Sequence, residues 1–174
     1  MIHPAPVVRV NRAPVLTLWA AVVAERLGHP PETALALGRF VAGASARAKA
    51  RRLGLADEEE GAEERRVRAA EPGPRREAVR LLGRNVPVTR AEDGTLRVDD
   101  GDKPESAKSV RSYLARAFGD RLAEVRAAME GLAASLPPEE LNRVGFRLYE
   151  RFRSRLRLEL LIGRERAGLV TDLR

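Results

Sequence analysis

The sequence predicts a mainly α domain carrying one or two small β-hairpins. Apolar residues recur at helical spacing over residues 14–27, 31–53 and 104–152. Prolines fall between these stretches or at their starts, and Pro137-Pro138 divides the last of them. Period-two alternation marks residues 85–99 and the tail after Ser154, and briefly Val8–Val10. The chain has 174 residues, a length at which roughly 70% of the unfolded surface can be buried without covalent staples. It has no cysteine, which excludes a disulfide framework, thiol chemistry and any Cys-containing zinc site. The only histidines, His3 and His29, leave little for a His-based metal centre.

Residues 1–13 read as extended, with two X-Pro steps and Val8 and Val10 alternating around Arg9. A helix follows over Pro14–Leu27. Leu16, Trp19, Ala20, Val23 and Leu27 form its stripe, and Val15, Leu18 and Val22 make it apolar on most sides, as a buried helix is. Gly28 supplies its stop. The basic residues Arg9 and Arg12 before the run Ala13–Ala24 imitate a secretory signal. Pro4 and Pro6 fit such a leader poorly, and the run continues into Glu25-Arg26-Leu27-Gly28 as one helical pattern. We therefore expect a core helix of a cytoplasmic protein. No run approaches the roughly 20 apolar residues that span a bilayer.

A second helix is expected from Pro31 to Leu53, with Leu37, Val41, Ala44 and Ala48 on one face. Ala34, Gly38, Ala42 and Ser45 make a small-residue surface beside it, suited to close helix packing. Residues 55–77 read as a charged linker, with Asp57-Glu58-Glu59-Glu60 acidic and Glu71-Pro72-Gly73-Pro74 breaking any helix. Residues 85–99 predict a hairpin. Val86 and Val88 alternate in one arm, Leu96 and Val98 in the other, and Pro87 assigns the first arm to a sheet edge. Pro104–Leu136 is helical again, broken at Gly119-Asp120 with Asp120 as the next N-cap. Leu122, Val125, Met129, Leu132 and Leu136 form its apolar stripe. Pro137-Pro138-Glu139-Glu140 opens a last helix with Leu141, Val144, Leu148 and Phe152 inward and Phe146 and Tyr149 beside them. The alternation Arg155-Leu156-Arg157-Leu158-Glu159-Leu160 reads as a strand, with a second arm over Leu169–Leu173. The organisation expected is a basic unit 1–54, a linker 55–77 and a hairpin plus helical bundle 78–174, the last sharing a domain with the first or standing alone.

The net charge is +7, and the cations are almost all arginine, as in chains from GC-rich bacterial genomes. Residues 1–54 carry eight cations against Glu25 and Glu32 alone, whereas residues 55–77 carry eight acids against five arginines. Such a localised surplus is the electrostatic footprint of a polyanion partner.

Within the basic unit, Ala24, Gly28 and Ala34 stand at the spacing of a small residue, a turn glycine and a locking apolar residue. The segment 20–41 thereby resembles helix-turn-helix DNA-binding proteins. The resemblance implies two helices packed through small residues, the second lying on nucleic acid. The reading positions of that second helix would be Pro31, Glu32, Thr33, Leu35 and Ala36, which offer few donors to base edges. The expected contacts are therefore to backbone phosphates, by Arg39, Arg47, Lys49, Arg51 and Arg52. Arg143, Arg147 and Arg151, spaced i, i+4, i+8, form a secondary basic surface next to Phe146, Tyr149 and Phe152, where charge and stacking could serve single strands.

No Walker sequence, G-x-G-x-x-G or H-E-x-x-H occurs, and no serine has an evident histidine partner. Asp99, Asp100 and Asp102 around Gly101 read as a turn. The expectation is a non-catalytic nucleic-acid-binding protein, DNA being the first choice, without metal, cofactor, small-molecule substrate or membrane. The alternative is a helical protein–protein interaction or homodimerisation module, using the Leu122–Leu136 stripe and the small-residue face of the second helix.

Overall fold

Helix α1, Arg12–Arg26, is the element around which the others assemble. Every residue from Val15 to Ala24 is at most 5% exposed, including the one polar member, Thr17. An apolar surface on all sides can be covered only by neighbours on all sides, and α1 has them in every later layer. The computed structural model describes residues 12–54, 77–99 and 106–169, with side chains from Pro14 to Arg153. The expected extended segment 1–13 lies outside the described residues as far as Asn11, its last two residues, Arg12 and Ala13, being helical; the expected linker 55–77 lies outside them as far as Arg76, as do Asp100 to Asp102 of the expected turn.

Gly28, at φ +100°, ends α1. The His29 N–H donates to the Ala24 carbonyl at 3.1 Å and the Gly28 N–H to that of Glu25 at 2.9 Å, the two bonds of a Schellman stop. Helix α2, Pro31–Arg52, then begins with Pro31 in the first turn, where its missing N–H costs nothing. Its small residues let the backbones of α1 and α2 touch. A Cβ at Gly38 would lie 2.5 Å from the Thr17 carbonyl oxygen and 2.9 Å from the Ala21 nitrogen. Ala34 and Ala42, one turn away on either side, are buried.

Three strands follow: β1 (Glu77–Leu81), β2 (Arg84–Arg90) and β3 (Leu96–Val98), antiparallel in the order β1-β2-β3. The β2–β3 pair is the expected hairpin. Strand β1 was not foreseen, since Glu77 was placed in the linker. It makes β2 the central strand, not an edge. Pro87 is tolerated there because its backbone faces β3, which has ended by that point. The Pro87 carbonyl accepts from the Asp99 N–H at 2.9 Å, one residue past β3, and the N–H that proline lacks points to the same side. Leu81, Val86, Val88 and Val98 form the buried face of the sheet.

The β1–β2 turn is Leu82-Gly83, both left-handed, at φ 52° and 78°. A non-glycine residue in that region costs about 1–3 kcal/mol. Burial of the Leu82 side chain, 4% exposed, offsets a comparable amount. Asn142 holds the turn from outside, its Oδ1 accepting from the Leu82 N–H at 2.8 Å and its Nδ2 donating to the Arg80 carbonyl at 2.9 Å.

Helix α3, Ala107–Phe118, is capped by Ser106, whose Oγ accepts from the Ser109 N–H at 3.1 Å. The expected break falls at Gly119, but Asp120 is not an N-cap. It lies inside a 3₁₀ turn, Gly119–Arg121, that runs directly into α4, Leu122–Ala134. Val125, Met129 and Ala133 of α4 are buried, and Leu122, Leu132 and Leu136 pack against the same core.

Helix α5 runs from Pro138 to Leu169. The expected strand over residues 155–160 is therefore helix, as is the tail as far as Leu169. The α5 face that enters the core is Leu141–Gly145–Tyr149, with Leu148 and Phe152 half-buried at its margin. Gly145 marks the closest approach: the Trp19 indole N–H donates to its carbonyl at 2.9 Å, and a Cβ there would meet Leu82. Residues from α1, α2, the sheet, α3, α4 and α5 form one hydrophobic cluster. Of the surfaces behind the self-association alternative, Val125 and Met129 of the α4 stripe and Ala34, Gly38 and Ala42 of α2 are buried, and Leu122, Leu132, Leu136 and Ser45 are half-buried. Among the described residues, no helix is long and apolar enough to cross a membrane.

Candidate nucleic-acid interface

The last two turns of α2 carry Arg47, Lys49, Arg51 and Arg52, and the sheet adds a fifth cation. Strand β2 lies against α2, and its first residue, Arg84, donates from Nε to the Ser45 Oγ at 3.2 Å. Burial and the positive charges of Arg47, Arg52 and Arg51 hold the Arg84 guanidinium below its ordinary pKa. The tip is thus a convergence of two elements 39 residues apart in sequence. Among the described residues, none of Arg47, Lys49, Arg51, Arg52 and Arg84 forms an ion pair with a carboxylate. Arg47 keeps one further contact, over the Phe40 ring at 5.8 Å, which orients its stem along the helix.

Sequence reasoning missed Arg84. The available signal was Leu82-Gly83 between the apolar pairs Val79/Leu81 and Val86/Val88, a second two-residue turn that brings β2 back beside α2.

Arg39 is placed elsewhere. Its guanidinium lies 4.6 Å from the centroid of the Tyr113 ring on α3. It stands about 18 Å along α2 from Arg51. Its cation is used in packing α3 on α2, apart from the tip.

The start of α2 offers little to base edges. Leu35 is 4% exposed, and Thr33 and Ala36 are half-buried. Glu32 approaches Arg111 of α3 at 3.7 Å. A shallow hollow of about 440 Å³ lies here, floored by Leu18, Leu35, Leu114 and Leu122 with Glu25, Arg111 and Arg126 at its edge. Arg126 bonds both Glu25 and Glu130, so charge at this end is matched within the fold.

On α5, Arg143, Arg147 and Arg151 face away from the aromatics, whereas the Arg153 guanidinium lies 5.9 Å from the centroid of the Tyr149 ring. Tyr149 is 3% exposed, and the Trp19–Phe152 and Tyr149–Phe152 ring pairs stand edge-on at 5.0 and 5.8 Å. Tyr149 is buried and Phe146 and Phe152 are half-buried, the three rings packing against the core and one another. Arg143, Arg147 and Arg151 are exposed, with Arg143 at 4.0 Å from Glu140. Among the described residues there is no group of three His, Asp or Glu side chains placed to hold a metal ion.

No protein-family model, no curated protein and no solved structure matches this chain.

Proposed function

We propose that this chain binds nucleic acid without catalysis, through the phosphate backbone, at the tip formed by Arg47, Lys49, Arg51 and Arg52. Duplex DNA is the first ligand to test. One observation carries the proposal: the cations of two elements converge there, and none has a carboxylate partner among the described residues. Gathering like charges works against folding, and a polyanion relieves it. The α1–Gly28–α2 unit would act as a helix-turn-helix-like support that presents the end of α2. The start of α2, with Leu35 buried and Glu32 facing Arg111, offers few donors to base edges, which favours binding with little dependence on base sequence.

The test is an anisotropy titration against duplex DNA, single-stranded DNA and RNA. The wild-type chain should bind duplex DNA at low salt. Affinity should fall about a hundredfold between about 50 and about 200 mM salt, as four neutralised phosphates require. The joint variant Arg47→Ala, Lys49→Ala, Arg51→Ala, Arg52→Ala should lose most of that binding. Absence of wild-type binding at low salt overturns the function. Undiminished binding by the joint variant overturns the site.

A further inference from the structure

We infer that Arg84 is a pre-oriented phosphate fork, and that Ser45 is the positioning residue that sets it; the inference rests on the phosphate-binding proposal above. A guanidinium presents two edges to a phosphate, the Nε/Nη edge and the Nη/Nη edge. In Arg84 the Nε–H is already given to Ser45 Oγ at 3.2 Å. Among the described residues neither Nη makes a hydrogen bond, so the end-on edge, with two parallel donors, remains for a ligand.

Arg84 is half-buried, as Arg51 of α2 is, and the element that carries it sets it apart. It leaves a β-strand immediately after the Leu82-Gly83 turn, and Asn142 fixes that turn from α5. It faces other cations and no carboxylate. Arg47, Lys49, Arg51 and Arg52 sit on the last turns of a helix and supply charge with little fixed geometry. Arg84 supplies one contact with a fixed direction. The ligand group it takes is a phosphate with two unsubstituted oxygens, as every internal phosphodiester has. Bound there, the phosphate would also sit in the field of Arg47, Arg51 and Arg52, which supplies charge compensation that the fork alone lacks.

Charge and geometry separate in one experiment. Duplex DNA is titrated by anisotropy at several salt concentrations with the wild-type chain, Arg84→Lys, Ser45→Ala and Arg84→Ala. Trp19 fluorescence melts confirm that each variant is folded. Arg84→Lys keeps the charge and removes the fork, so it should bind about tenfold more weakly with the wild-type salt slope. Ser45→Ala keeps the whole arginine and releases it, so it should bind about threefold to fivefold more weakly, again with the slope unchanged. Arg84→Ala should also lose about one unit of slope, for one phosphate no longer neutralised. Wild-type affinity in both Arg84→Lys and Ser45→Ala overturns the fork and leaves the tip as a plain charge cluster. Failure of the wild-type chain itself to bind duplex DNA removes the phosphate-binding proposal and the fork together, so the two failures are told apart.

Discussion

The first and last turns of α2 belong to one helix about 33 Å long, yet they handle charge in opposite ways. At the first turn, the carboxylates have partners within the fold: Glu32 faces Arg111, and nearby Glu25 is held by Arg126, which also bonds Glu130. At the last turn, Arg47, Lys49, Arg51 and Arg52 gather with Arg84 and have no carboxylate among the described residues. Cations at a helix C-terminus are favourable to the helix dipole, each by about 0.3–1 kcal/mol. That explains one or two of them on α2. It does not explain a further arginine brought from the sheet. Carboxylate–arginine pairs mark the first end, whereas at the second, among the described residues, cations gather without a carboxylate.

The contrast predicts that removing an arginine has a different readout at each end. Arg126→Ala leaves Glu25 and Glu130 without their cation in a half-buried setting, where the Arg126 side chain is 32% exposed and that of Glu25 24%. It should cost about 1–2 kcal/mol, less than a fully buried pair, in urea unfolding followed by Trp19 fluorescence. Duplex binding should be unchanged. A stability loss below about 0.5 kcal/mol would make Arg126 a surface pair like any other.

Introducing an acid at the tip should turn the second end into the first. Ala48→Glu places a carboxylate one turn before Arg52 at the i, i+4 spacing. It should leave stability within about 0.5 kcal/mol of wild type, because pairing with Arg52 and the helix dipole act in opposite directions, and weaken duplex binding several-fold. Equal binding by Ala48→Glu and wild type would mean that the field at the tip is not what the ligand responds to.

The smallest effect belongs to His29, which joins α1 to the first turn of α2. Burial pushes its pKa below its ordinary value of 6.5. The folded chain therefore resists a proton that the unfolded chain accepts. Stability should be flat above pH 6.5 and decline as pH falls below it, ahead of carboxylate titration. In His29→Gln that early decline should vanish; an identical decline in both chains assigns it to other groups.

The two ends also differ in how far the sequence revealed them. Helices α1 and α2, the stop at Gly28 and the close approach at Gly38 are local features, and apolar spacing and small residues disclosed them. The four cations of α2 were legible for the same reason. Arg84 was not, because its place depends on contacts far apart in sequence: Asn142 fixing a turn, and Ser45 receiving a guanidinium. Arg39 was assigned to phosphates because its partner, Tyr113, lies 74 residues away. Residues 155–160 alternate with period two, but each of the six also sits one helical turn from another apolar or charged residue of its kind. A helix already nucleated at Pro138 continues through them, because adding a residue to an existing helix is easier than starting a strand. Pro87 misled because a missing N–H excludes a central strand only where the neighbouring strand extends that far.

The most direct measurement is the slope of log affinity against log salt for duplex DNA, wild type against the joint variant of Arg47, Lys49, Arg51 and Arg52. Phosphate binding at the tip predicts that the variant's slope is shallower by about three to four units, close to 0.9 for each cation removed. Equal slopes in the two chains would contradict it, whatever the affinities, because the cations at the end of α2 would then release no counterions.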